Sequence, residues 1–208
     1  MLFILTGNVQ IGKTRWLGRT LEMLENRGVT PYGVIAPGIW IEHTRDSDVT
    51  YEKLGINNEL LPQHEIIPFA RRADLAAEDA SRKSCTQAQR AQLAWAIEDD
   101  AIDRVNAHFD ELAAHLIGAD QQSAIGRGLI VIDEFGRLEL LRNEGLTSAM
   151  HLIEQGATPL APHALIVVRE QLLDVAIERF ADANWGGIQP ISPNDDAQRT
   201  LADAFHFA

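Results

Sequence analysis

The segment Gly7-Asn8-Val9-Gln10-Ile11-Gly12-Lys13-Thr14 narrows the possible folds of this chain more than any other, because it fits the spacing G-x-x-x-x-G-K-S/T without deviation. Its surroundings suit it: an apolar stretch from Leu2 to Leu5 reads as a strand before it, and a helical pattern follows. Gly7 and Gly12 permit main-chain bends that a Cβ obstructs, so the consecutive N–H groups of Gly7 through Thr14 can face phosphate oxygens. In such a cradle the Lys13 ammonium is expected to reach the β and γ phosphates and the Thr14 hydroxyl to ligate Mg²⁺. Arg15 joins them as a candidate nucleotide-binding residue. The helix that follows points its positive end at the same anion.

That helix is read from Leu17, Leu21 and Leu24 on one face, with Trp16 and Thr20 beside them. Gly28 supplies its C′ residue, and Pro31 prevents continuation. A second apolar run, Gly33 to Ala36, completes a βαβ-like opening.

Hydrolysis at such a cradle also needs an acid-bearing strand. Leu129-Ile130-Val131-Ile132-Asp133-Glu134 has that form: its apolar residues read as a buried parallel strand, with the acids at the carboxyl edge where open α/β sheets bind ligands. Asp133 is expected to hold the Mg²⁺ shell and Glu134 to orient and deprotonate the attacking water. Ala164 to Val168 is another buried strand with Arg169 at its carboxyl end, which makes Arg169 a candidate to stabilise charge on a transferring phosphoryl group. Arg137 is a second candidate, and membership of a surface ion pair is the competing role for both.

Together, Leu5-Thr6-Gly7 through Lys13-Thr14 and Ile132-Asp133-Glu134-Phe135-Gly136-Arg137-Leu138-Glu139-Leu140 resemble the small stand-alone P-loop nucleoside triphosphatases first recognised in thermophiles. That family carries an acid-strand extension I-D-E-I-G-x-M-E-L; here Phe135 stands for the isoleucine and Leu138 for the methionine. The resemblance implies an α/β, P-loop NTPase three-layer sandwich, a mostly parallel sheet flanked by helices, with residues 1–208 as one domain. It also implies slow, Mg²⁺-dependent hydrolysis of ATP or other nucleoside triphosphates to diphosphate and phosphate, with broad base tolerance. Gly7, Gly12, Lys13 and Thr14 would form the phosphate and magnesium site and Asp133 and Glu134 the acid site. Glu139 matches the family's second glutamate, for which a structural contact near the site is the plainer role. The segment from Ile39 to Arg72 departs from the family's R/G-rich strand pair.

Residues 37–72 read as a small antiparallel strand insertion, because Gly33 to Ile41 and Glu65 to Ala70 are strand-like runs broken by proline. Glu42 to Asp48 is polar and reads as a loop over the nucleotide, while Trp40 and Tyr51 read as core in preference to base-stacking residues. Arg71, Arg72, Arg82 and Lys83 form a basic concentration that Asp74, Glu78 and Asp79 balance. A long helix is predicted from Thr86, with a capping box to Gln89 and a seam of Ala88, Ala91, Trp95, Ile102, Val105, Phe109, Leu112 and Leu116 that Glu98 interrupts. Further helices are predicted over Glu144 to Gln155, over Leu172 to Ala181 and from Asp196 onward.

Composition removes several function classes. Eighteen basic against thirty acidic side chains leave a net charge of −12, which disfavours general nucleic-acid binding. Cys85 is the single cysteine, so an intrachain disulfide and a cysteine-based zinc cluster are excluded. The opening apolar stretch is short for a signal peptide and no later run approaches the ~20 apolar residues of a membrane span, so a cytoplasmic protein without a membrane partner is expected. There is no N-K-x-D guanine reader, no H-E-x-x-H among the seven histidines and no G-x-S-x-G elbow. Two other readings stay open beside hydrolysis. One is a small-molecule kinase or phosphotransferase whose acceptor sits on the Ile39 to Arg72 segment, and the other is a nucleotide-binding regulatory or assembly protein acting through a protein partner.

Overall fold

Short apolar runs alternate along the chain with amphipathic stretches, and the two kinds of segment segregate into a sheet and its covering helices. The computed structural model describes residues 1–8, 11–45, 48–72, 74, 95–97, 99–118 and 126–206. In chain order the elements are β1 (Leu2–Leu5), α1 (Lys13–Glu25), β2 (Thr30–Ile35), β3 (Gly38–Arg45), β4 (Asp48–Leu61), β5 (Glu65–Arg72), β6 (Trp95–Ile97) and α2 (Asp99–Gly118). They continue as β7 (Gly128–Phe135), α3 (Arg137–Arg142), α4 (Thr147–Gln155), β8 (His163–Val168), a 3-10 turn (Glu170–Leu172), α5 (Leu173–Phe180), β9 (Ile188–Ile191) and α6 (Asp195–Ala204).

Among the described residues these strands form one mixed sheet in the order β6-β5-β4-β2-β7-β8-β1-β9, with β3 paired to β4. The half from β2 to β9 is parallel, and the half from β4 to β6 is antiparallel. Side chains alternate across a strand, and the parallel strands are apolar on both faces because helices cover both. Leu2, Ile4, Ile130, Ile132, Ala164, Ile166 and Val168 pack on one side with residues of α2, α4 and α5. Phe3, Leu5, Leu129, Val131, Leu165 and Val167 pack on the other with α1 and α6. The arrangement is α/β and compatible with a three-layer sandwich.

Phe109 on α2 is fully buried in the first of these cores. Phe109→Ala is expected to cost about 3–5 kcal/mol of unfolding free energy, read as a lowered urea midpoint at unchanged slope.

Several local expectations are corrected. Glu42 to Asp48 is not a loop over the nucleotide: β3 and β4 continue as a paired hairpin, with Glu42 opposite Tyr51, His43 opposite Thr50 and Thr44 opposite Val49. Polar residues persist there because the hairpin is solvated on both faces, so polarity signals exposure without a break in pairing. For the same reason Trp40 and Tyr51 are not core; they are 50 % and 64 % exposed. The long helix does not include Trp95, which pairs with Arg72 in β6. Asp99 and Asp100 open α2, where acids favour the positive end of the helix. The expected start at Thr86 lies outside the described residues, as do Glu78, Asp79, Arg82 and Lys83.

The antiparallel strands of the 37–72 segment extend the main sheet through β4, which pairs with β2 at its carboxyl end and with β3 and β5 along the rest. The predicted helix over Glu144 to Gln155 begins at Thr147, that over Leu172 to Ala181 spans Leu173–Phe180, and the last begins at Asp195. Asn194 caps the last one: its Oδ1 accepts from the Ala197 N–H at 2.8 Å.

Candidate active site

Parallel strands bring their carboxyl ends to one edge, and the strand order decides which of those ends are neighbours. β8 lies between β1 and β7, so the loop after β1, Arg169 after β8 and the acids at the end of β7 share one edge in that sequence. The loop leaves β1 where the Thr6 N–H donates to the Ile191 carbonyl at 2.9 Å. It enters α1 through Gly12, whose φ of 86° is left-handed and strained for any residue with a side chain. Lys13 folds back beneath it, and its Nζ donates to the carbonyls of Gly7 at 2.8 Å and Asn8 at 2.7 Å. Burial lowers the Lys13 pKa, against the opposing pull of Glu134. Thr14 follows on the first turn of α1, and Arg15 and Ile11 are exposed. Val9 and Gln10 lie outside the described residues.

Adjacent strand residues ordinarily face opposite sides of a sheet, yet the roles expected of Asp133 and Glu134 need both to face one ligand. β7 resolves this with an irregularity: its register against β8 shifts between Ile132 and Phe135, and Glu134 adopts a φ of 82°. A positive φ at a non-glycine residue costs about 1–3 kcal/mol and concentrates at functional sites. Asp133 is 5 % exposed, and its Oδ2 accepts from the Ala36 N–H at 3.0 Å. The Thr14 side chain is near enough to favour the charged form of Asp133, so the two motifs meet at this point.

Burial raises the Asp133 pKa to about 6, and the Ala36 N–H and the Thr14 side chain partly offset that rise. Because this folded-state value lies above the ordinary 3.8, the group contributes stability that is complete below the ordinary value and lost as pH rises through about 6. Without Mg²⁺, the wild type is therefore expected to lose about 1 kcal/mol relative to Asp133→Asn between pH 5 and pH 7, read by denaturant titration. A constant difference would contradict the placement.

Glu134 is held by Arg169, whose Nε and Nη2 each lie 2.6 Å from its Oε1. The ion pair is present, and it lies at the carboxyl edge of the parallel strands. Arg137 is exposed at the start of α3. Glu139 has the structural role: buried, it accepts from the N–H groups of Gly136 at 2.9 Å and Leu146 at 3.1 Å, fixing the turn that carries the acids into α3. Its carboxyl pKa is raised by burial, against those bonds. Arg72 pairs with Asp74 at 2.6 Å, as its balanced charge predicts, and also with Glu52.

Two contributors carry no sequence signal. The Ala36 N–H acts through backbone alone, and Lys53 comes from β4; its ammonium feels the charges of Glu134 and Asp133. An isolated lysine in a solvated strand has no spacing that marks it.

Among the described residues no group of three or more His, Cys, Asp or Glu side chains is arranged to hold a metal ion. The donors at hand are the Thr14 hydroxyl and the Asp133 carboxylate, hard oxygens that fit a Mg²⁺ ion taking its other ligands from phosphate and water. Comparison with protein-family models, with curated proteins and with solved structures finds no match for this chain.

Proposed function

We propose that the chain is a P-loop nucleoside triphosphatase that hydrolyses nucleoside 5′-triphosphates to diphosphate and phosphate with Mg²⁺ and broad base tolerance, in the manner of the family its motifs resemble. The observation that supports this reading best is that the strand order brings the loop after β1 and the acids at the end of β7 to one edge of the sheet, where Thr14 and Lys13 both act on the charge of Asp133. In the proposed reaction the water oxygen bonds to the γ phosphorus while the bridging P–O bond breaks, and the electron pair of that bond stays on the diphosphate. Glu134 orients the water and takes its proton; Lys13 and the amides of the loop hold the phosphates. Arg169 fixes the carboxylate of Glu134, and its guanidinium offers further donors to a phosphoryl oxygen. Thr14 and Asp133 would hold a Mg²⁺ ion, whose chemistry there would be to neutralise phosphate charge.

The cytoplasm is the proposed location; among the described residues no helix is long and apolar enough to cross a membrane. Phosphate release from ATP, GTP, CTP and UTP, each with Mg²⁺ and with EDTA, tests the reading. Release from all four that EDTA abolishes is the expected result; absence of release from every one contradicts it. A phosphotransferase reading draws on the exposed Trp40 and Tyr51 of the hairpin, and it predicts background release until an acceptor is supplied.

A further inference from the structure

Lys53 sits directly opposite Trp40 in the β3–β4 ladder. Its Nζ is 5.8 Å from the ring centre of Trp40 and 5.3 Å from that of Trp95 on β6, so indoles from two different strands flank the ammonium. Gly38 makes the room: a Cβ there would stand 2.8 Å from Lys53 Cε and 2.6 Å from Trp40 Nε1. The ammonium feels Glu134 first among charges, then Asp133, with Arg169 opposing, and Lys13 feels these same three groups. Gly38, against which Lys53 packs, follows two residues after Ala36, whose N–H donates to Asp133, so the ammonium is held next to the strand end that carries the acids. Partial burial among aromatic rings disfavours the charged form of Lys53, and its pKa is lowered accordingly. In the sheet β4 and β1 lie on opposite sides of β7, so this cation approaches the acid edge from the side away from the Lys13 loop, as suits an anion that extends beyond that loop.

We propose that Lys53 is a second lysine of the phosphate site, contacting the terminal phosphoryl group and stabilising the charge that moves through it as the bridging bond breaks. This rests on the triphosphate reading above. It assigns a purpose to the antiparallel half of the sheet: β3, β4 and β6 deliver one cation and the two rings that orient it. A lysine that merely packed between Trp40 and Trp95 would not discriminate a triphosphate from a diphosphate.

The test compares wild type with Lys53→Met, which keeps the apolar stem and removes the charge, and Lys53→Arg, which keeps the charge. Lys53→Met is expected to lower kcat about 30-fold and to weaken β,γ-imido-ATP binding about tenfold, with ADP affinity kept within about twofold. Lys53→Arg is expected to recover most of both losses. A measurement on the wild type alone guards against misfolding: β,γ-imido-ATP with Mg²⁺ should slow amine-reactive labelling of Lys53 severalfold, and ADP should not. Unchanged kcat and β,γ-imido-ATP affinity in Lys53→Met, or labelling indifferent to β,γ-imido-ATP, overturns the proposal while an active wild type keeps the triphosphate reading. A wild type that neither binds nor cleaves the triphosphates removes both.

Discussion

Replacing Glu134 by glutamine is expected to leave nucleoside triphosphate binding within about twofold of wild type and to lower phosphate release by about 10²–10³-fold. The amide matches the carboxylate in size and can still accept from Arg169, but it cannot take a proton from water. The strained backbone at Glu134 and the irregular pairing of β7 are set by main chain, so the substituted side chain keeps its place. Loss of the ion pair changes stability little, because both side chains are close to half exposed and such pairs are worth about 0–1 kcal/mol. Equilibrium binding beside single-turnover phosphate release separates the two effects. Unchanged turnover would take the role of base away from Glu134.

Lys13→Ala acts earlier, on binding itself. The ammonium places a positive charge on the loop and ties together the carbonyls of Gly7 and Asn8. Losing a charge-assisted contact to phosphate typically weakens binding by about 100-fold, and phosphate release should fall below detection. ATP and ADP should weaken together, since the proposed cradle would hold phosphates common to both. Lys53→Met differs in sparing ADP. Equal ATP affinity in wild type and Lys13→Ala would mean that the loop does not hold phosphate.

The parallel half of the sheet and its site edge are legible in sequence because each depends on short-range patterns. Ile130, Ile132, Leu129 and Val131 announce a strand buried on both faces, and the spacing from Gly7 to Thr14 encodes a turn that needs left-handed backbone at Gly12. The convergence of Thr14 with Asp133, and of Arg169 with Glu134, follows from parallel strands ending at one edge. The antiparallel half is harder to read. Its hairpin is wet on both faces, so Glu42 and His43 look like loop, Trp40 and Tyr51 look like core, and nothing in the order of residues marks Lys53 as a site residue. Trp95 fits a helical seam and a strand equally well; its pairing with β5 is long-range and outweighs local periodicity. Contacts made by backbone, such as the Ala36 N–H on Asp133, are silent in any side-chain pattern.

Calorimetric titration of β,γ-imido-ATP into wild type and Asp133→Asn over a series of Mg²⁺ concentrations asks whether loop and acid strand hold one metal–nucleotide complex. In the wild type Mg²⁺ is expected to tighten binding, and in Asp133→Asn that dependence should largely disappear while the metal-free affinity stays close to normal. Mg²⁺ dependence undiminished in Asp133→Asn, or no binding by the wild type at any concentration, would contradict a shared site.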